Sequence, residues 1–127
     1  MLEFPKVANA IMNALHEDEV EIIEELLQAC KEGSVNRVDQ LMDELFQDME
    51  IHFSTEEEMM REFEFFAYPM HKAEHDSMRK EFKEFYTTWK ENKDVGRVES
   101  FLKDRFIPWL LLHIARWDST TAMHLGD

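Results

Sequence analysis

Four side chains set the terms of this sequence: His52 and Glu56, then His71 and His75. Each pair is four residues apart. On a helix that spacing places both members on one face, with Cβ atoms about 5–6 Å apart. Imidazole and carboxylate are both metal-binding groups, so two such pairs on neighbouring helices could aim four ligands into one interior. His16, His113 and Asp118 extend the pattern to other parts of the chain.

The elements that must position these groups are helical. With 127 residues, three Gly and three Pro, and abundant Glu, Leu and Met, the chain is sized for one domain built from long helices. Apolar residues recur at steps of three and four in four runs. The first spans about Pro5 to Glu32 along Met12, His16, Val20, Ile23, Leu27 and Cys30, with Pro5 in the first turn and Gly33-Ser34 closing it. The second spans about Val35 to Phe66 along Leu41, Leu45, Met49, His52, Glu56, Met60 and Phe63. Ser54 and Thr55 each have Glu three residues on and fit a helix start. The stripe nevertheless keeps phase across them, which favours one unbroken helix. The third runs from Pro69 to Lys90 along His71, His75, Met78, Phe82, Phe85 and Trp89. The fourth runs from Val95 to about Thr121 along Val98, Leu102, Phe106, Trp109, His113 and Trp117. Pro108 predicts a kink or short break near Phe106. Residues from Met123 onward are expected to fray. Short connections between four long helices imply an all-α, antiparallel up-down-up-down four-helix bundle, one domain over residues 1–127.

Five of six histidines fall on inward stripes: His16, His52, His71, His75 and His113. One buried imidazole is ordinary. Five in a core of Leu, Met and Phe each need partners for two ring nitrogens. A metal satisfies one nitrogen of each ring and leaves the other for a neighbouring acceptor. Glu56 and Asp118 share the inner faces, while Glu57 and Glu58 are turned outward by helical phase and are expected to be solvated. Histidine and carboxylate without thiolate suit iron, zinc, manganese or copper. Seven ligands are too many for one tetrahedral zinc and suit two ions with bridging carboxylates. The Glu-x-x-His motif of ferritin-like bundles is absent, as is the His-Glu-x-x-His of zinc proteases.

Other function classes are disfavoured. Twenty-eight acids against fourteen bases give a net charge of −14, which repels nucleic acid and anionic membrane surfaces. Cys30 is the only cysteine, so no internal disulfide forms, and its place on an apolar stripe makes it a small buried residue. Met-Leu-Glu-Phe-Pro-Lys has no basic start followed by an apolar run, so no signal peptide and a cytoplasmic location are expected. Phe106 to Ile114 is the longest apolar candidate and is too short to span a membrane.

From Met12 to Asp118 the chain resembles the hemerythrin family. The matching pieces are His16, then His52-Phe-Ser-Thr-Glu56 with Met60, then His71-Lys-Ala-Glu-His75, then Trp109-Leu-Leu-Leu-His113-Ile-Ala-Arg-Trp-Asp118. The resemblance implies two non-haem irons joined by an oxo or hydroxo bridge. It assigns His71, His75 and His113 to one iron, His16 and His52 to the other, and Glu56 and Asp118 to both. It leaves one coordination position open on the two-histidine side, where dioxygen binds reversibly. Met12, Val20, Phe53, Trp109, Leu110 and Ile114 lie within one or two turns of that position and are expected to keep it dry. Reversible oxygen binding for carriage, storage or supply, without enzymatic turnover, is the leading expectation. The alternatives are a sensor of oxygen, nitric oxide or redox state, and a di-iron oxidase or a peroxide or nitric-oxide scavenger. His124 matches nothing in the family and is expected at the surface.

Overall fold

The computed structural model describes residues 4–126. Helix α1 spans Ala10–Glu32, α2 Val35–Glu62 and α3 Tyr68–Asn92. The fourth helical run is continuous but not uniform. It consists of α4 (Val95–Phe101), a π turn (Leu102–Phe106), α5 (Ile107–His113), a second π turn (Ile114–Asp118) and α6 (Ser119–Leu125). The four rods form the expected all-α bundle.

Local chemistry sets most of the boundaries. Helix α1 begins at Ala10, later than Pro5, because Asn9 is the stronger cap: its Oδ1 accepts from Met12 N–H at 2.9 Å. Asn9 also donates Nδ2 to Gly126 O at 2.6 Å, tying this start to the end of α6. That bond explains why the helix holds order through Leu125 instead of fraying from Met123; Asp127 lies outside the described residues. Gly33 ends α1 at φ +69°, donating to Cys30 O at 3.1 Å while Ser34 donates to Ala29 O at 3.2 Å. Helix α2 is unbroken past Ser54 and Thr55 but stops at Glu62, four residues early, where Glu64 turns left-handed at φ +50°. Phe63 therefore leaves the inner stripe and is 56% exposed.

Inside a continuous helical run, a π turn over Leu102–Phe106 is the interruption expected near Phe106 from Pro108. The π turn before it closes Ile107 N–H on Leu102 O, five residues back. The wider turn takes up the proline at the start of α5, where a missing N–H costs least.

The interior has three layers. The largest is apolar: Ile23, Leu26, Leu41, Leu45, Phe82, Trp89, Leu102 and Phe106 are almost wholly buried, with Cys30 at its edge. A smaller apolar cluster of Met60, Phe65 and Ala67 lies at the α2–α3 corner. Between them sit the inward histidines and carboxylates. At the far end Asp39 accepts from Trp89 Nε1 at 2.9 Å, Lys90 Nζ at 2.9 Å and Lys93 Nζ at 2.6 Å, clamping α2 to α3. Among the described residues no helix is long and apolar enough to cross a membrane.

Gly33→Ala should lower stability by about 1 kcal/mol through backbone strain alone, since no atom lies within 4 Å of the added methyl. Urea unfolding at equal metal loading checks this. The hydrogen bonds from Lys93 and Lys90 hold the Asp39 carboxyl well below its usual range. Its contribution is therefore present above the unfolded value, about 4, and is lost as pH falls through the lower folded value. Asp39→Asn should cost roughly 0.5 kcal/mol at neutral pH, given the clamp's partial exposure, and the gap should close in acid.

Candidate metal centre

Seven side chains from all four rods converge in the middle layer. His16 comes from α1, His52 and Glu56 from α2, His71 and His75 from α3, and His113 and Asp118 from the fourth run. None is more than 4% exposed. They form two groups that share both carboxylates. Glu56, His71, His75, His113 and Asp118 make one, and His16, His52, Glu56 and Asp118 the other; within each group the ligand atoms lie within 4.8 Å of one another.

Each carboxylate divides its oxygens between the groups. Asp118 Oδ1 is 3.0 Å from both His71 Nε2 and His113 Nε2, while Oδ2 is 2.8 Å from His16 Nε2. Glu56 Oε1 is 3.2 Å from His75 Nε2, while Oε2 is 2.7 Å from His52 Nε2. In the three-histidine group His113 Nε2 is 3.1 Å from His71 Nε2 and 3.2 Å from His75 Nε2.

The outer ring nitrogens decide what those inner nitrogens carry. His52 Nδ1 is 2.7 Å from Glu19 Oε2, and His75 Nδ1 is 2.8 Å from Glu57 Oε2. An ionised carboxylate only accepts, so each Nδ1 holds a proton and donates. His71 Nδ1 donates to Thr121 Oγ1 at 2.7 Å, and that hydroxyl faces Met60 Sδ at 3.9 Å. In a neutral ring so fixed, Nε2 presents a lone pair inward. His113 Nε2 lies 3.0–3.2 Å from Asp118 Oδ1 and from both other Nε2 atoms, more lone pairs than a single ring proton satisfies, and a cation among them would satisfy all of them. Glu56 Oε1 and Asp118 Oδ1 are buried without a hydrogen-bond partner, which points the same way. The donor set therefore fits a pair of metal ions.

The carboxylates of the cluster draw positive charge onto the rings: burial opposes it, yet Glu56 and Glu19 raise His52 well above its ordinary value, and Glu56 and Glu57 raise His75. Burial alone would raise the Asp118 carboxyl, yet His113, His16 and His71 hold it well below the usual range. Burial and Asp118 push Glu56 up, and His52 and His16 outweigh them and bring it down. Both carboxylates thus stay ionised. Burial lowers His71, keeping it neutral. Burial also opposes charge on His16, but Asp118 and Glu56 raise it to about 9, the mark of a negative potential on the two-histidine side.

The second π turn makes Asp118 available. Five residues at about 100° each would set it about 140° from His113 on an α-helix. The π turn closes Ser119 N–H on Ile114 O and gains one residue per turn, so both side chains reach the same interior.

Sequence reasoning missed three supporting groups. Glu57 is not solvated: it is 6% exposed, bonded to His75 and held by Arg79 Nη1 at 2.6 Å and Nη2 at 3.1 Å. Helical phase alone turned it outward, and Arg79 reaching across from α3 covers it. Glu19, fully buried, stands three residues after His16, and Thr121 three after Asp118. That register was the available signal for both. Glu58 is exposed as expected, as is His124, whose Nε2 lies 3.3 Å from Phe63 O.

The six residues expected to keep the open position dry separate in space. Met12, Phe53, Leu110 and Ile114 are at most 1% exposed. Phe53 stacks on His75 with ring centroids 4.1 Å apart. Trp109 is half-buried and stacks on His113 at 4.5 Å, on the three-histidine side. Val20 is half-buried and lines a cavity of about 480 Å³ together with His16, Phe4 and Pro5 and with the polar residues Lys6, Glu17 and Glu21.

Comparisons with known proteins give the family and the fold. The family model for the hemerythrin HHE cation binding domain matches residues 7–125. Bacteriohemerythrin from Aquifex aeolicus (strain VF5) is 58% identical over 122 residues, covering 96% of this chain and 93% of that protein. A solved structure of wild-type hemerythrin superposes with a TM-score of 0.87 at 19% identity, with both chains covered in full. A second, of a point mutant, gives 0.84 at 19% identity over 95% of this chain and 91% of that one. At such identity these two speak to the fold, whereas the family match and the close relative, together spanning nearly the whole sequence, make this chain a member of the hemerythrin family.

Proposed function

We propose that the chain binds dioxygen reversibly at a carboxylate-bridged pair of non-haem irons, as a carrier, store or local supply. The observation that carries this reading is the divided carboxylates: one oxygen of Glu56 and one of Asp118 face three imidazoles, and the other oxygens face two. His71, His75 and His113 would hold one iron and His16 and His52 the other. Glu56 and Asp118 would hold both, beneath an oxo or hydroxo bridge. Two ferrous ions, when bound, supply the electrons by which dioxygen is held. The protein donors are fewer by one on the His16–His52 side, and that is the place for a small ligand.

The chain's own residues make binding reversible by keeping water and stray protons out. Met12, Phe53, Leu110 and Ile114 are apolar and almost wholly buried, and they would serve as the dry packing around the ligands. The protons on the outer imidazole nitrogens are fixed by Glu19, Glu57 and Thr121, so the rings cannot turn or change tautomer freely. The close relative's name is that of an oxygen-binding protein, which supports binding over turnover.

Optical spectra test the reading. Iron-loaded protein reduced without air, then exposed to air, should develop a charge-transfer band that disappears when oxygen is removed and returns over several cycles. One-way oxidation to the ferric state would favour a sensor or an enzyme. His113→Ala and Glu56→Ala should each bring iron well below two per chain by metal analysis, since each removes a donor from the shared cluster. Two irons retained in either variant would mean that the ligands are elsewhere.

A further inference from the structure

Beyond the seven-residue cluster, two buried carboxyl oxygens have no partner: Glu19 Oε1 and Asp48 Oδ2. They belong to neighbours. Glu19 on α1 is fully buried and gives its other oxygen to His52 Nδ1 at 2.7 Å. Asp48 lies one turn before His52 on the same face of α2. Its side chain is within hydrogen-bonding reach of Glu19. Two ionised carboxylates in contact repel, and neither can donate to the other. One proton resolves both orphans, because a protonated carboxyl is a donor where a carboxylate only accepts. The charged groups facing Asp48 are Glu19 and Asp18 from α1 and His52 from its own helix. Of these only His52 favours an ionised Asp48. Burial first, and then the Glu19 charge, push the Asp48 carboxyl up to about 7.

We propose that Asp48 is a positioning residue for His52, acting as a neutral acid that donates to Glu19 and fixes that carboxylate as the acceptor of the His52 Nδ1 proton. Asp48 is half-buried, so the row Asp48–Glu19–His52 leads from near the surface to the metal centre. Its effect on metal rests on the proposed role of His52 on the two-histidine side. A histidine ligand whose outer N–H is held by a carboxylate is better oriented and more basic, and losing such support typically costs about 10–100-fold in metal affinity. Without the Asp48 proton, Glu19 loses a donor and gains a like-charged neighbour.

Infrared spectra and chelator competition on the iron-loaded protein test this. A protonated-carboxyl C=O stretch should be present in mild acid, fade as pH rises through about 7, and be missing in Asp48→Asn. In Asp48→Ala one iron of the two should be lost at a chelator concentration roughly 10–100-fold lower than in the parent. Asp48→Asn keeps a donor toward Glu19 and should restore retention to within a few-fold of the parent. The proposal is overturned if the stretch is already gone in the ordinary carboxylate range, or if Asp48→Ala holds both irons as tightly as the parent. A parent that never holds two irons would defeat the reading of the metal centre instead, and the infrared titration would still decide whether Asp48 keeps its proton.

Discussion

Lone pairs that point at one another in a dry interior are the constraint on which this structure depends. Three imidazole nitrogens meet at 3.1–3.2 Å beside carboxylate oxygens at 3.0–3.2 Å. Such an arrangement is unfavourable in a low-dielectric medium unless positive charge stands among them. The fold maintains it by surrounding it with apolar layers and by occupying the far side of the rings. Glu19, Glu57 and Thr121 take the outer protons of His52, His75 and His71, so the inner nitrogens are where the buried carboxylates hold positive charge, a proton or a metal ion.

The scaffold is adjusted for the same purpose. Two π turns interrupt an otherwise regular fourth helix. The first absorbs Pro108 and lets the helical run continue to His113. The second reconciles a five-residue spacing with a shared direction for His113 and Asp118. Arg79 extends the support outward, since it grips Glu57, which in turn holds His75. Through that chain a surface guanidinium bears on a buried ring. Asn9, by bonding to Gly126, fixes the start of the helix that carries His16 against the end of the helix that carries Asp118.

The sequence makes some of this legible and hides the rest for physical reasons. The four helices, the unbroken passage through Ser54 and Thr55, and six of the seven converging side chains follow from three-and-four periodicity, which reports radial direction well. Periodicity assumes a constant turn, so it leaves Asp118 well off the His113 direction, where the protein widens the turn instead. It also describes each helix alone. Glu57 turns outward by phase and is buried because Arg79 arrives from α3. Val20 lines a cavity beside His16 and Trp109 stacks on His113, contacts that position along the chain alone does not supply. Asn9 outcompetes Pro5 as a helix start through a cap that composition did not single out.

Anomalous diffraction at the iron edge from crystals of the iron-loaded protein bears most directly on the central claim. Two peaks should appear, one bounded by His71, His75 and His113 and the other by His16 and His52, with Glu56 and Asp118 reaching both. A single peak, or two that share no carboxylate, would contradict the account.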